Sequence, residues 1–104
     1  MIRHIVLFTL TDKAREDGLE QVVEKIRISA QNMTQNIPGL LTAEFEMNQN
    51  KNSPYDVIFY SEFDSVKSLE AYQNHPVHEA HRQFSLEYVS NPQIADLYQN
   101  DTQL

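Results

Sequence analysis

Alternation of apolar and polar residues marks the beginning of the chain as a strand. From Ile2 to Leu10, Ile2, His4, Val6, Phe8 and Leu10 share one face, and Ile5 and Leu7 share the other with Arg3 and Thr9. A strand apolar on both faces needs cover on both. The period then lengthens. A helix is predicted from a start between Asp12 and Asp17 to about Asn36, with Leu19, Val22, Val23, Ile26, Ala30, Met33 and Ile37 on one stripe. Gly18 near its start is a mild cost, and Pro38-Gly39 ends the helix and turns the chain. Leu41, Ala43, Phe45 and Met47 next alternate with Thr42, Glu44 and Glu46, a half-exposed strand suited to a sheet edge. After a polar loop from Asn48 to Pro54, a third strand runs from about Tyr55 to Phe63. Val57, Phe59 and Phe63 on one face and Ile58 and Tyr60 on the other make it central.

The second half repeats the alternation of helix and strand. Asp64 or Ser65 caps a short helix through Asn74, with Val66, Leu69 and Tyr72 inward. His75 precedes a proline and is pushed out of helical geometry, whereas Pro76 suits the first position of a new helix. That helix carries Val77, His81, Phe84 and Tyr88 on one stripe and stops before Asn91-Pro92. A last strand, about Gln93 to Gln99, sets Ile94, Asp96 and Tyr98 on one face. No repeat, low-complexity segment or linker divides the 104 residues, so residues 1–104 read as one domain. The order β-α-β-β-α-β, with its second helix broken, predicts a ferredoxin-like α+β sandwich. Helices can shield one face of the sheet only. The cheapest cover for the other is a second copy, which predicts a homodimer.

Composition narrows the function classes. A hydrophobic share of 40% with two glycines and four prolines supports a packed core. The net charge of −7, with eight Lys and Arg scattered among fifteen acids, argues against a nucleic-acid partner, which needs a clustered basic surface. There is no Cys, hence no disulfide, thiolate nucleophile or Cys-based zinc site. The first residues read as a strand rather than an apolar leader, and no apolar run approaches membrane-spanning length. A soluble, cytoplasmic protein with no membrane partner is the plain expectation.

Candidate chemistry concentrates between Ala71 and His81, where three of the four histidines fall within seven residues, directly after Tyr72. His78 lies one turn into its helix and Asp96 on the last strand. If they meet, the carboxylate orients the imidazole and raises its basicity; the plainer alternative is a buried His satisfied by an Asp. Tyr72 either donates to a substrate carbonyl oxygen or anchors its helix by packing. His4 reads as a core or interface residue bonded to backbone, and His75 as a cap. His78 and His81 have the spacing of two metal ligands, but no third converges, so neither metal nor cofactor is expected and His81 is assigned to packing. Glu16, Asp17, Glu20 and Glu24 form a solvated helix face.

Three segments together resemble the stress-responsive A/B-barrel domain family. They are Met1-Ile-Arg-His-Ile-Val-Leu-Phe, Phe63-Asp64-Ser65 with Leu69 through His78, and Ile94-Ala95-Asp96. The resemblance spans essentially the whole chain and implies a dimeric α+β barrel in which two sheets face each other. One chemically understood member is the plant polyketide cyclase that makes olivetolic acid by intramolecular aldol condensation. By that resemblance His78 takes the place of its acid/base His, Tyr72 of its pocket Tyr, His4 of its first-strand His and Asp96 of the Asp on its last strand. The implied function is a small stress-response protein whose helix–sheet cleft binds a small, partly apolar molecule. If it is an enzyme, the reaction is cofactor-independent proton transfer at a carbonyl compound, an aldol-type cyclisation or isomerisation. His78, Asp96 and Tyr72 are then catalytic and His4 binds substrate. The alternatives are a cofactor-free monooxygenase of the same barrel class and a non-catalytic stress or scaffold dimer. The fold hosts several chemistries, so the site has to decide.

Overall fold

In a computed structural model, which describes residues 1–99, the chain runs through β1 (Ile2–Leu10), α1 (Asp12–Glu16), α2 (Leu19–Asn36), β2 (Leu40–Met47), β3 (Val57–Phe63), α3 (Val66–Gln73), α4 (Pro76–Ser85) and β4 (Val89–Tyr98). The strands form one antiparallel sheet in the order β2-β3-β1-β4. This is the ferredoxin-like α+β fold, with β1 and β3 central and β2 at an edge, as their apolar patterns require.

The helices pack on one face of that sheet. Val22, Val23, Ile26, Ala30 and Met33 of α2 are buried in one cluster with Phe45, Val57, Phe59 and Phe63 of the sheet. Each fully buried side chain of this kind contributes about 1.5–3 kcal/mol, so the α2 stripe is a main tie between the layers. On the opposite face, Ile5, Leu7, Ile58 and Tyr60 are only half-buried by their strand neighbours.

Several boundaries differ from the sequence expectation, each for a local reason. The first helix is two helices. Gly18 adopts φ 98°, outside the range of helical residues, and separates α1, capped by Thr11, from α2. In β2 the pairing slips between Leu40 and Thr42, so Leu40 turns into the core and Leu41 is 54% exposed. Val66 occupies the first turn of α3 and is 52% exposed, whereas Leu69 and Tyr72 are buried. Helix α4 ends at Ser85, so Tyr88 lies beyond it, although still buried. Strand β4 begins at Val89 rather than Gln93 and passes through Pro92. A register shift opposite Leu7 and Thr9, with Asn91 at φ 56°, makes room for a proline at this edge.

One turn depends on its glycine. Gly39 has φ 82°, and its carbonyl accepts a 3.0 Å bond from the Asp64 amide, which ties the α2–β2 turn to the start of α3. A Cβ there would lie within 2.5 Å of the Ser68 Cβ and 2.9 Å of Asp64 Oδ1.

Candidate active site

The corner between α3 and α4 sets out the site. Ser65 accepts from the Ser68 amide and starts α3, whose last turn carries Tyr72. His75 then takes the N-cap of α4: its Nδ1 accepts from the Val77 amide at 3.1 Å, and Pro76 supplies the first helical residue. His75 is a cap, as its place before a proline implies. The cap fixes where α4 begins, and so brings His78 over the end of α3.

There the Tyr72 and His78 rings pack at 4.0 Å between centroids. Tyr72 also meets Phe63 at 4.9 Å and His4 at 6.4 Å, both edge-on. Burial pushes the Tyr72 phenol well above its ordinary range, so it keeps its proton at every ordinary pH. The His78 imidazole is pushed down, first by desolvation and also by the nearby Arg82 and His4, with the Gln73 carbonyl opposing. Its Nδ1 is buried without a hydrogen-bond partner.

Asp96 does not orient His78. Its Oδ1 lies 2.5 Å from Nδ1 of His4, because antiparallel register sets His4 of β1 directly opposite Asp96 of β4, on the helix-facing side of the sheet. The expected His78–Asp96 pair is therefore corrected to a His4–Asp96 pair. The reason is elementary: residues paired across two strands have Cβ atoms about 5 Å apart, which a carboxylate and an imidazole span without strain. His4 is correspondingly bonded through its ring to a side chain, not to backbone. Its backbone carbonyl accepts instead from the Ser61 hydroxyl at 3.3 Å.

These groups line one cavity of about 370 Å³ between α3–α4 and the sheet. Its polar lining includes His4, Tyr72, His78, His81 and Arg82, and Val6, Phe8, Ile26, Phe45, Phe59 and Ile94 make up most of its apolar lining. Such a volume suits a small, largely apolar molecule. His4, Tyr72 and His78, read from the sequence as site residues, meet on one wall, and Asp96 joins them through His4.

Two lining features escape a residue-by-residue reading. Arg82 stands at the wall, its guanidinium on Glu79 at 3.2 Å. His81 is buried and bonded to Ser29 of α2, Nδ1 to Oγ 2.7 Å. A signal for the second was present: Ser29 follows Ile26 by three residues and so interrupts the apolar stripe of α2 with a hydroxyl. Burial holds the His81 imidazole down to about 4. Among the described residues, no three His, Cys, Asp or Glu side chains are grouped to hold a metal ion, and no helix is long and apolar enough to cross a membrane.

Comparison with solved structures shows the same architecture elsewhere. A dimeric ferredoxin-like protein of unknown function from Bacteroides fragilis superposes with a TM-score of 0.77 at 25% identity, over 92% of this chain and 93% of that one. A Dabb family protein with a ferredoxin-like fold from Mesorhizobium loti gives 0.74 at 24% identity, over 95% and 96%. A protein from Nitrosomonas europaea, described as a candidate antibiotic biosynthesis monooxygenase, gives 0.71 at 13% identity, over 95% and 98%, a likeness of fold alone. Among curated proteins none matches. The stress responsive A/B barrel domain matches residues 2–99, and with that span of agreement the chain belongs to this family.

Proposed function

We propose that the cavity binds a small carbonyl compound and moves a proton on it without a cofactor, in an aldol-type cyclisation or an isomerisation. The observation that carries this reading is His78: a desolvated imidazole with an unpartnered Nδ1, packed on a phenol that keeps its proton, at the wall of an apolar cavity. A neutral imidazole is the form a general base needs. The base takes a proton from the carbon next to the carbonyl, and the electron pair moves onto the carbonyl oxygen. The Tyr72 hydroxyl donates to that oxygen as its charge develops. The enolate carbon then either attacks a second carbonyl or takes a proton back, and His78 returns its proton to the product. His4, held by Asp96, positions the substrate beside Tyr72. Arrangement of this kind gains most from exclusion of water, which the apolar lining supplies.

In the same proposal the chain works as a homodimer. The sheet face carrying Ile5, Leu7 and Ile58 has no helix on it, and the Bacteroides fragilis relative is described as dimeric. A cytoplasmic setting belongs to the proposal too.

The test is deuterium uptake at the α-carbons of a panel of small ketones and β-dicarbonyls, followed by NMR. Wild-type protein is expected to accelerate the exchange of at least one compound over buffer, with His78→Ala lowering that rate by about 100-fold or more and Tyr72→Phe by less. Exchange no faster than in buffer throughout the panel, or full activity in His78→Ala, ends this reading and leaves a non-catalytic binding dimer.

A further inference from the structure

We propose that His81 and Ser29 form a second polar station in this cavity, so that its ligand carries two oxygen functions about one helical turn apart on an apolar frame. The inference rests on the cavity reading above and adds the class of ligand. His81 is 7% exposed, meets Phe59 edge-on at 5.4 Å, and forms part of the cavity wall. An imidazole has two ring nitrogens, and Ser29 engages Nδ1. With the Ser29 hydroxyl donating to Nδ1, the neutral ring carries its proton on Nε2 and has one donor left for a ligand oxygen.

Spacing gives the ligand its shape. His78 and His81 are three apart in α4, so their side chains are neighbours with Cβ atoms about 5–6 Å apart. A carbonyl held at Tyr72 and His78 therefore leaves His81 facing the ligand a few bonds further on. An alkyl segment there would bury that donor unpaired, which is penalised; an oxygen satisfies it. Charge gives the oxygen its type. Burial keeps His81 neutral down to about 4, and a hydroxyl is neutral. The station therefore suits a ketone or hydroxyl better than a carboxylate. Val6, Ile26, Phe45, Phe59 and Ile94 leave the rest of the ligand apolar.

The probes are nonane-2,6-dione, whose carbonyl carbons lie about 5 Å apart to match the side-chain spacing, and nonan-2-one, the same chain with one carbonyl. Affinities are measured by calorimetry and by NMR of the histidine ring nitrogens. Wild-type protein is expected to bind the diketone about tenfold more tightly than the monoketone, as one added hydrogen bond allows. His81→Phe should abolish the preference, weakening the diketone by the lost hydrogen bond and strengthening the monoketone by removing the donor it leaves unpaired, so that the two bind alike. Ser29→Ala leaves the ring in place and should weaken only the diketone. In wild-type protein the diketone should shift the His81 ring nitrogens, a readout that stands even if His81→Phe does not fold. Equal affinity for the two ketones, a preference retained in His81→Phe, or unshifted His81 nitrogens would overturn the second station. If the monoketone binds and the preference is absent, this inference alone falls; if neither ketone binds, the cavity reading falls with it.

Discussion

Desolvation is the strongest single influence on His78 and His81, and its consequence is acid lability. His81 has an ordinary value of 6.5 in the unfolded chain and about 4 in the folded one. Between those two values the unfolded chain binds a proton that the folded chain refuses. Its contribution is thus fully present above about 6.5 and is lost as the pH falls toward 4, by an amount on the order of 3 kcal/mol. Urea unfolding at pH 7 and pH 4.5 should show this loss in wild-type protein and a smaller one in His81→Phe. His78, shifted the same way, adds a remainder of the same sign. Equal pH dependence in the two proteins would show that His81 is not desolvated. A second residue-scale prediction concerns His4 and Asp96. In Asp96→Asn the His4 ring N–H should lose its protection from solvent exchange while the His78 ring resonances stay in place, read by NMR. The reverse pattern would restore the His78–Asp96 pair. What could be read at this scale was the residue types and their neighbourhood: Tyr72, His78 and His4 do share a wall, and His75 caps α4. Which imidazole receives the carboxylate was hidden, because that depends on β1–β4 register, and a shift of one residue moves every side chain to the other face.

Elements obeyed their periodicity and departed from it where a single residue overrode it. The α2 stripe was legible because five apolar residues at helical spacing all bury on one face. The division at Gly18 was less so, since a glycine in a helical pattern is ordinarily a small cost rather than a break. The slip at Leu40 and the early start of β4 lie at pairings that no local pattern encodes. Gly39 is different: Pro38-Gly39 announced a turn, and the structure adds why the second residue has to be glycine. Both its φ of 82° and the approach of Ser68 exclude a side chain. Gly39→Ala is expected to destabilise the fold by more than about 1 kcal/mol, lowering the thermal midpoint and loosening the α2–β2 turn in hydrogen exchange. Ser65→Ala, which removes the α3 cap together with bonds to the Asp64 and Ser68 side chains, should cost about 1 kcal/mol. Phe59 is the larger case. It is 5% exposed in central β3, against Phe45 and His81, so Phe59→Ala should cost about 3–5 kcal/mol by opening a cavity. A cost near that of Ser65→Ala would mean the surrounding core collapses onto the gap.

The whole molecule is a two-layer fold with a third layer to find. On the face without helices, the rows Glu44–Tyr60–Ile5–Ala95 and Glu46–Ile58–Leu7–Gln93 run across all four strands, apolar in the middle and polar toward β2. Arg3 belongs to the same face, and its Nε is buried with no hydrogen-bond partner. Buried donors of that kind are nearly always satisfied. A second copy laid face to face across a two-fold axis would cover Ile5, Leu7 and Ile58. Apolar Leu97 at the β4 edge, paired with Arg3 and 54% exposed, extends the surface to be covered. Light scattering at micromolar concentration should therefore give twice the mass of the chain. Ile58→Glu, which sets a charge in the middle of the apolar rows, should shift the mass toward that of one chain by raising the cost of burial. Because association stabilises only the folded state, the thermal midpoint of wild-type protein should rise with concentration and that of Ile58→Glu should not. A single-chain mass for wild-type protein at that concentration, with a midpoint independent of dilution, would leave both faces of β1 apolar with only one covered, and the case for a face-to-face barrel would fail on the strand pattern that first raised it.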